Sequence, residues 1–336
     1  MTAGDNLEHV FVVGSSRSGT TLVYSILQAS SLYARYPAET KLLNACRAKY
    51  GDLGNRRSRN RFLEDWLSSV QFKRSGLTKE KFLSAFKDYG ASSYPAILGL
   101  FMNLLAAEQQ RERWVDDTPD NVFSLSEISD HFPNARVIHV IRDGRAVALS
   151  LAKLGWSGIR TDNFNKSLCY SALKWQQSVV AGRKAEVFLR DRYFELSYER
   201  LVQNYEGVIK ELCRFLEIPT ITNEVLDGDH ANNIRNPESS LDSPNTPFDD
   251  LSTGISDKAA FRWKTVLTPE QISMIEGYIG ALLTDLGYQL VGGGGIPPGV
   301  FYSRLWRNSI LNARKYLKHN TIIGRFSSSP LEFGSD

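Results

Sequence analysis

Two glycines with the spacing of a phosphate-binding loop stand near the start of the chain, in Gly14-Ser15-Ser16-Arg17-Ser18-Gly19-Thr20-Thr21. The segment lies between an apolar run, Val10–Val13, and apolar residues at helical spacing. A loop placed between a strand and a helix can point backbone N–H groups and the positive end of the helix dipole at an anion. The segment therefore predicts an anion-binding loop, and a Ser/Gly-rich turn without a ligand is the alternative.

The basic residue of this loop does not stand at the position that the lysine has in nucleotide triphosphatases. Such a loop continues after its second glycine with Lys and Ser or Thr, which bind the terminal phosphates and Mg²⁺. Here Thr20 occupies the lysine position, and Arg17 stands two residues before Gly19. A loop with this arrangement suits a phosphosulfate, which carries less charge at its transferring end than a triphosphate. Backbone amides, hydroxyls and one guanidinium can stabilise that charge without a metal.

A second cation and a hydroxyl follow another predicted strand. Arg142 comes directly after the apolar run Arg136–Ile141, and Ser150 lies eight residues further on in a predicted helix. Ligands of open parallel sheets bind beyond the carboxyl ends of strands. A guanidinium and a hydroxyl that converge there suit a phosphomonoester. The alternative is that Arg142 caps the sheet edge and Ser150 merely packs.

Predicted strands and helices alternate along the chain. Further strand and helix patterns lie at Tyr193–Leu196 and Phe164–Leu189, and Thr268-Pro269 with Gln271 gives a helix start that should end at Gly287. Strands separated by helices favour an α/β fold with a parallel sheet. A mostly helical stretch runs from about residue 44 to 113.

Composition limits the class of protein. The 336 residues are 42% hydrophobic with a formal net charge of +3, so no nucleic-acid partner is expected. Cys46, Cys169 and Cys213 are scattered and lack metal-ligand spacing, which predicts buried reduced thiols. No signal peptide or apolar run long enough to span a bilayer is visible, and a cytoplasmic location is expected.

The segment from Val12 to Leu22 resembles the 5′-phosphosulfate-binding loop of sulfotransferases that use 3′-phosphoadenosine 5′-phosphosulfate (PAPS). It is most similar to the branch with Arg-Ser-Gly-Thr-Thr, which includes tyrosylprotein sulfotransferases and many bacterial enzymes. The resemblance implies a P-loop-like three-layer α/β fold with a central parallel sheet flanked by helices. It also implies PAPS as donor, 3′-phosphoadenosine 5′-phosphate (PAP) as product, and no metal.

The resemblance extends to the rest of the nucleotide site. Arg142 and Ser150 match the pair that holds the 3′-phosphate, Tyr198 matches a tyrosine near the adenine, and Phe261–Lys264 matches an element that closes over the donor. For Tyr198 a role as a core aromatic is equally open, and Arg262 and Lys264 could be a solvated basic pair. The predicted donor-binding residues are Ser16, Arg17, Ser18, Gly19, Thr20, Thr21, Arg142, Ser150, Tyr198, Arg262 and Lys264.

Catalytic groups follow from the same resemblance. In the tyrosylprotein-like branch a Glu-Thr-Arg/Lys triplet supplies the base, and Glu39-Thr40-Lys41 matches it where a second strand should begin. A surface ion pair between Glu39 and Lys41 is the alternative. Relatives often carry a lysine where this chain has Asp117, so stabilisation of the leaving group falls on Arg17 and Lys41, and Asp117 could share base duty. His139, inside an apolar strand, is predicted to be a packed neutral imidazole.

The resemblance predicts a sulfotransferase domain over residues 8–291, with the helical insert at about 44–113 and a loop at about 227–253. Residues 292–336 are predicted to be a Gly-rich linker and a basic amphipathic tail, which either contacts a membrane surface or packs onto its own domain. The acceptor is expected to offer a hydroxyl or amine on a glycan, lipid or small metabolite. A divergent P-loop kinase or NTPase and an inactive PAP(S)-binding homologue are the alternatives.

Overall fold

The computed structural model describes residues 7–221, 260–292, 298–326 and 329–333. Five parallel strands form one sheet in the order β2-β3-β1-β4-β5. The strands are β1 Val10–Gly14, β2 Tyr33–Ala34, β3 Arg113–Asp116, β4 Arg136–Ile141 and β5 Tyr193–Ser197. The predicted α/β class with a central parallel sheet is confirmed.

The central strand is buried on both faces, as its continuous apolar sequence requires. Val12 of β1 pairs with Ile138 of β4, and the alternation of side chains along both strands separates two cores. Phe11 and Val13 belong to a core on one face, whereas Val10 and Val12 belong to a core on the other. Helices cover both faces, which gives the three layers.

Helices fill the connections between the strands. They are α1 Thr20–Ala29, α2 Arg47–Tyr50, α3 Arg56–Ser68, α4 Val70–Lys73, α5 Lys79–Tyr89, α6 Tyr94–Glu108, α7 Leu125–His131, α8 Gly144–Lys153, α9 Phe164–Leu189, α10 Tyr198–Gln203 and α11 Tyr205–Leu216. The later helices are α12 Trp263–Val266, α13 Pro269–Asp285 and α14 Pro298–Asn320, and Pro119–Phe123 and Ile322–Phe326 form 3₁₀ turns. No helix in these described ranges is long and apolar enough to cross a membrane.

Two short strands escaped the sequence analysis. The segment predicted to be helical up to residue 113 is helical through α6, but Arg113 begins strand β3. The second strand was expected at the Glu39 triplet, and this was wrong: β2 is Tyr33–Ala34, five residues before Glu39. Strands of two and four residues are too short to show a periodicity of their own, and their pairing with neighbours defines them.

Other local predictions hold. Thr268 and Gln271 form the predicted capping box of α13, and the chain turns at Gly287 with a positive φ of 83°. The three cysteines are buried and free. The loop predicted at about 227–253 lies outside the described residues, as does most of the Gly-rich break at 292–297.

Candidate active site

The predicted site residues follow the carboxyl ends of parallel strands. Residues 15–19 follow β1, Asp117 follows β3, Arg142 follows β4 and Tyr198 follows β5. Because the strands are parallel, these ends lie at one edge of the sheet. Segments far apart in sequence therefore converge there.

Backbone geometry shapes the loop after β1. Arg17 and Gly19 have positive φ values of 73° and 101°, and α1 begins at Thr20 with no acidic residue in its first turn. A Cβ on Gly19 would lie 2.5 Å from Cδ2 of Tyr198, so only glycine allows this close approach. The Ser18 hydroxyl is buried and, among the described residues, has no hydrogen-bond partner. The loop thus presents a helix N-terminus and an unused hydroxyl that suit an anion.

The two predicted anion motifs meet in a cationic cradle, which we define as Arg17, Arg142, Ser150 and Tyr198. Arg17 Nε donates to Ser150 Oγ at 3.0 Å, and Arg142 Nη1 donates to the Arg17 carbonyl at 3.2 Å. The Arg142 guanidinium lies 4.5 Å from the centroid of the Tyr198 ring. Arg17 and Arg142 therefore lie on the same face, close enough for one nucleotide to contact both.

A buried ion network fixes the turn that carries Arg142. The Arg145 guanidinium binds the carboxylates of Asp143 and Glu276 at 2.8 Å and 2.5 Å and lies 4.0 Å from the centroid of Trp263. Buried charges are stable in a protein when they are paired and hydrogen-bonded in this way. The Asp143 backbone N–H also donates to buried Glu199 at 2.9 Å. The network joins the turn after β4 to α13 and thereby fixes the turn that carries Arg142.

The Glu39 triplet is fixed by a different set of contacts. The Thr40 hydroxyl donates to Asp116 Oδ2 at 2.6 Å, and the Thr40 backbone N–H donates to Thr118 Oγ1 at 3.0 Å. Asp116 also accepts from the Thr118 backbone N–H and from Asn121 Nδ2, at 2.9 Å and 2.8 Å. Asp116 therefore attaches the loop after β2 to the end of β3.

Glu39 lies in a carboxylate cluster, which we define as Glu39, Asp116, Asp117, Asp120 and Glu332. The Glu39 side chain reaches solvent, but crowding by protein atoms removes part of its hydration. This desolvation raises the pKa of Glu39 to about 7, Lys41 opposes the rise, and the neighbouring carboxylates add to it. Glu39 can therefore exchange a proton near neutral pH, as a general base must.

Asp117 belongs to the same cluster. Burial, followed by repulsion from Asp116 and Glu39, raises the pKa of Asp117 well above its usual range. When two carboxyl groups repel each other in this way, ionisation of one raises the pKa of the other. Asp117 and Glu39 can thus be coupled in proton exchange. Both carboxyl groups therefore remain candidates for the general base.

Lys41 contacts the C-terminal segment. Its ammonium forms an ion pair of 3.1 Å with Glu332, whose backbone carbonyl accepts from Val70 N–H at 2.7 Å. The Glu332 backbone N–H also donates to Gln71 Oε1 at 2.9 Å, and Leu331 is buried beside it. The end of the chain is therefore docked next to the Glu39 triplet.

The remaining candidates lie apart from these contacts. His139 is buried against Gly182 and hydrogen-bonded to Tyr193 at 2.6 Å, and burial lowers the pKa of His139 to about 3, as expected for a packed neutral imidazole. Arg262, directly before α12, and Lys264, within it, are exposed, and Lys264 lies 5.0 Å from the centroid of Phe261. Trp263, which stands between them, contacts Arg145 of the network that supports the cradle.

Sequence reasoning missed several residues that position the site. The supporting residues are Thr40, Asp116, Thr118, Asp143, Arg145, Glu199, Glu276 and Glu332. Asp143 and Arg145 stand beside Arg142 in the sequence, and their opposite charges are a usable signal. Glu276 and Glu332 have no local signal, because they reach the site only through tertiary contacts.

Across residues 7–221, 260–292, 298–326 and 329–333, no group of three or more His, Cys, Asp or Glu side chains is arranged to hold a metal ion.

Solved structures with a similar fold include two sulfotransferase domains. One is from the Synechococcus PCC 7002 olefin synthase and the other from the curacin biosynthetic pathway, each with a TM-score of 0.55 and 21% sequence identity. The alignments cover 85% of this chain and 96% and 100% of those chains. At this identity the likeness concerns the fold.

Curated relatives include protein-tyrosine sulfotransferases. The chain is 24% identical over 283 residues to protein-tyrosine sulfotransferase A of Caenorhabditis elegans, covering 83% of this chain and 67% of that protein. It is 24% identical over 214 residues to the Drosophila melanogaster protein-tyrosine sulfotransferase, of which it spans only 38%. A model described as "Sulfotransferase family" matches residues 9–222, more than half of the chain. The chain therefore belongs to the sulfotransferase family.

Proposed function

We propose that the protein transfers a sulfuryl group from PAPS to a hydroxyl or amine of an acceptor, with Glu39 as general base and without a metal. The observation that carries the proposal is the contact between the two anion motifs. Arg17 donates a hydrogen bond to the Ser150 hydroxyl, and Arg142 donates one to the Arg17 carbonyl. Two motifs joined in this way can hold two anionic groups of one nucleotide. We assign the activity to residues 8–291.

PAPS, when bound, would supply the sulfuryl group and leave as PAP. The loop residues Ser16 to Thr21 would hold its 5′ end with backbone N–H groups and hydroxyls, and the buried hydroxyl of Ser18 fits this role. Arg142 and Ser150 would hold the 3′-phosphate through charge-assisted hydrogen bonds. Tyr198 would lie beside the adenine ring, and Arg262 and Lys264 would close over the nucleotide.

Glu39 would take the proton of the acceptor. The acceptor oxygen or nitrogen forms its bond to sulfur while the bond from sulfur to the 5′-phosphate oxygen breaks, and the electron pair of that bond leaves with PAP. A carboxylate whose pKa is about 7 is available as a base at neutral pH. Arg17 would offset the charge that develops on the leaving phosphate, and Lys41 would offset charge beside the acceptor.

Asp117 is the main departure from the family pattern, since relatives often carry a lysine there. Its carboxyl stands beside Glu39 and has a raised pKa. We therefore propose that Asp117, in its neutral form, donates to the acceptor or shares the proton of Glu39. The acceptor surface is expected in the helical insert at about 44–113 and the loop at about 227–253, of which the loop lies outside the described residues.

Calorimetry with PAP, ATP with Mg²⁺, and adenosine 5′-phosphosulfate tests the proposal. We expect PAP to bind at least about tenfold more tightly than ATP, because only PAP offers a 3′-phosphate to Arg142 and Ser150. A preference for ATP with Mg²⁺ would instead support a kinase or NTPase. Binding of PAP without any new sulfated product in an expressing host, relative to a Glu39→Gln strain, would support an inactive homologue.

A further inference from the structure

Helix α14 leaves one apolar face open to solvent. Tyr302, Leu305, Trp306, Tyr316 and Leu317 are 71%, 51%, 69%, 62% and 41% exposed. Their spacing of three, four, fourteen and fifteen residues places them on one side of the helix. We call this side the apolar face. Large apolar side chains grouped in this way on a surface mark an interaction site.

The opposite side of α14 is fixed to the protein. Leu311 is buried in the core that α8, α9 and α13 share. Arg307 Nε donates to Tyr278 Oη at 2.9 Å, and Gln177 of α9 donates to Asn308 and Asn312 at 3.1 Å and 2.9 Å. These contacts set the rotation of the helix, because they fix the side that carries Leu311, Arg307 and Asn308 against the domain, so the apolar face points outward.

The same segment carries charge of a single sign. Residues 298–326 contain six basic and no acidic residues. Arg314 and Lys318 are exposed, and their long side chains can extend to an anionic surface. Beyond the helix, Ile323 and Phe326 are 54% and 83% exposed, so two more large apolar side chains of the same segment face solvent.

We propose that α14 and the turn after it bind the surface of an anionic lipid membrane, with the helix lying in the plane of the interface. Trp and Tyr favour the lipid headgroup region, and basic residues are attracted to anionic lipids. A second copy of the chain fits this surface poorly, because two segments without any acidic residue would repel each other. The proposal does not depend on the transfer chemistry.

Flotation of the full chain with vesicles tests this proposal. We expect binding to vesicles of phosphatidylcholine mixed with phosphatidylglycerol, weaker binding to phosphatidylcholine alone, and loss of the difference at high salt. The double variant L305S/W306S should bind mixed vesicles about tenfold more weakly or worse. The variant R314Q/K318Q should lose about 25-fold, since each basic residue near such a surface contributes about fivefold.

Matched controls change exposed residues elsewhere. Trp156→Ser removes another exposed tryptophan, and R56Q/R57Q removes two exposed arginines of α3. Both should bind vesicles like the wild type, and the unfolding temperatures of all four variants should match it because the altered side chains are exposed. Failure of the wild-type chain to bind mixed vesicles at low salt would overturn the proposal. Self-association that L305S/W306S abolishes, without vesicle binding, would assign the face to a protein partner.

Discussion

The cationic cradle and the carboxylate cluster lie at the same edge of the sheet but are built differently. In the cradle, the functional side chains contact each other directly, as Arg17 does with Ser150 and Arg142 with Tyr198. In the cluster, Glu39 itself reaches solvent, and its neighbour Thr40 supplies the contact with Asp116 that holds the loop. The charge also changes sign between the two.

This difference separates two tasks. Fixed cations can stabilise an anionic ligand without reorganising, which suits binding of a nucleotide and of its leaving phosphate. Crowded carboxylates raise one another's pKa, which suits proton transfer near neutral pH. Changes in the cradle should therefore alter nucleotide affinity, whereas changes in the cluster should alter turnover and its pH dependence.

Glu39→Gln should separate the two tasks most clearly. We expect turnover to fall by about 10²–10⁴-fold, because the proposed general base is lost, while calorimetry gives a PAP affinity close to that of the wild type. Sulfated product from PAPS measures turnover. Asp117→Asn is the paired variant: if it abolishes turnover while Glu39→Gln retains it, the base is Asp117.

Arg142→Ala should break the cradle. We expect PAP affinity to fall by about 10- to 100-fold, because a charge-assisted hydrogen bond contributes about 1.5–3 kcal/mol. Calorimetry measures the change, and Arg57→Ala, an exposed arginine on α3, serves as control. An unchanged affinity for PAP in Arg142→Ala would remove the cradle from donor binding.

The pH dependence of the wild type should report the cluster. Only the ionised form of Glu39 can accept a proton, and its pKa is about 7. Below that pH, kcat/KM should fall about tenfold per pH unit, and above it the rate should level off. The measurement is kcat/KM from about pH 5 to about pH 9, a range that brackets this pKa. A profile without a fall on the acid side would contradict the prediction.

Thr40→Val tests how the triplet is held. The variant leaves Asp116 without one of its buried partners, so the free energy of unfolding should fall by about 1–3 kcal/mol. Turnover should fall with it while PAP affinity stays unchanged. Chemical denaturation measures the stability, and the exposed Thr265→Val is the control. A variant as stable as the wild type would show that the Thr40 contact is dispensable.

Glu332→Gln should have the smallest effect. Glu332 raises the pKa of Glu39 slightly and pairs with Lys41, so its neutralisation should move the acid limb to lower pH. The pH profile of the variant measures this shift. Glu108→Gln, which removes the surface partner of Lys81, should leave the profile unchanged. A shift to higher pH would contradict the assigned sign.

Much of the fold could be predicted from local pattern. The strands β1, β4 and β5 and the helices α8, α9 and α13 have long apolar runs or capping residues that identify them. The strands β2 and β3 have neither, since each gains its stability from its neighbour in the sheet. For the site, Arg17, Arg142 and Glu39 came from motifs, whereas Glu276 and Glu332 did not.

Sequence alone determined the glycine-containing loop between β1 and α1, the basic residue after β4 and the basic tail, because glycine spacing, charge and periodicity act locally. Only the tertiary structure decided that Ser150 bonds Arg17, that Asp116 holds the Glu39 triplet, and that the tail turns its apolar face outward. Those outcomes depend on which strand ends become neighbours and which side of a helix packs. Such contacts join residues separated by up to 291 positions, as in Lys41 and Glu332, and no local pattern encodes them.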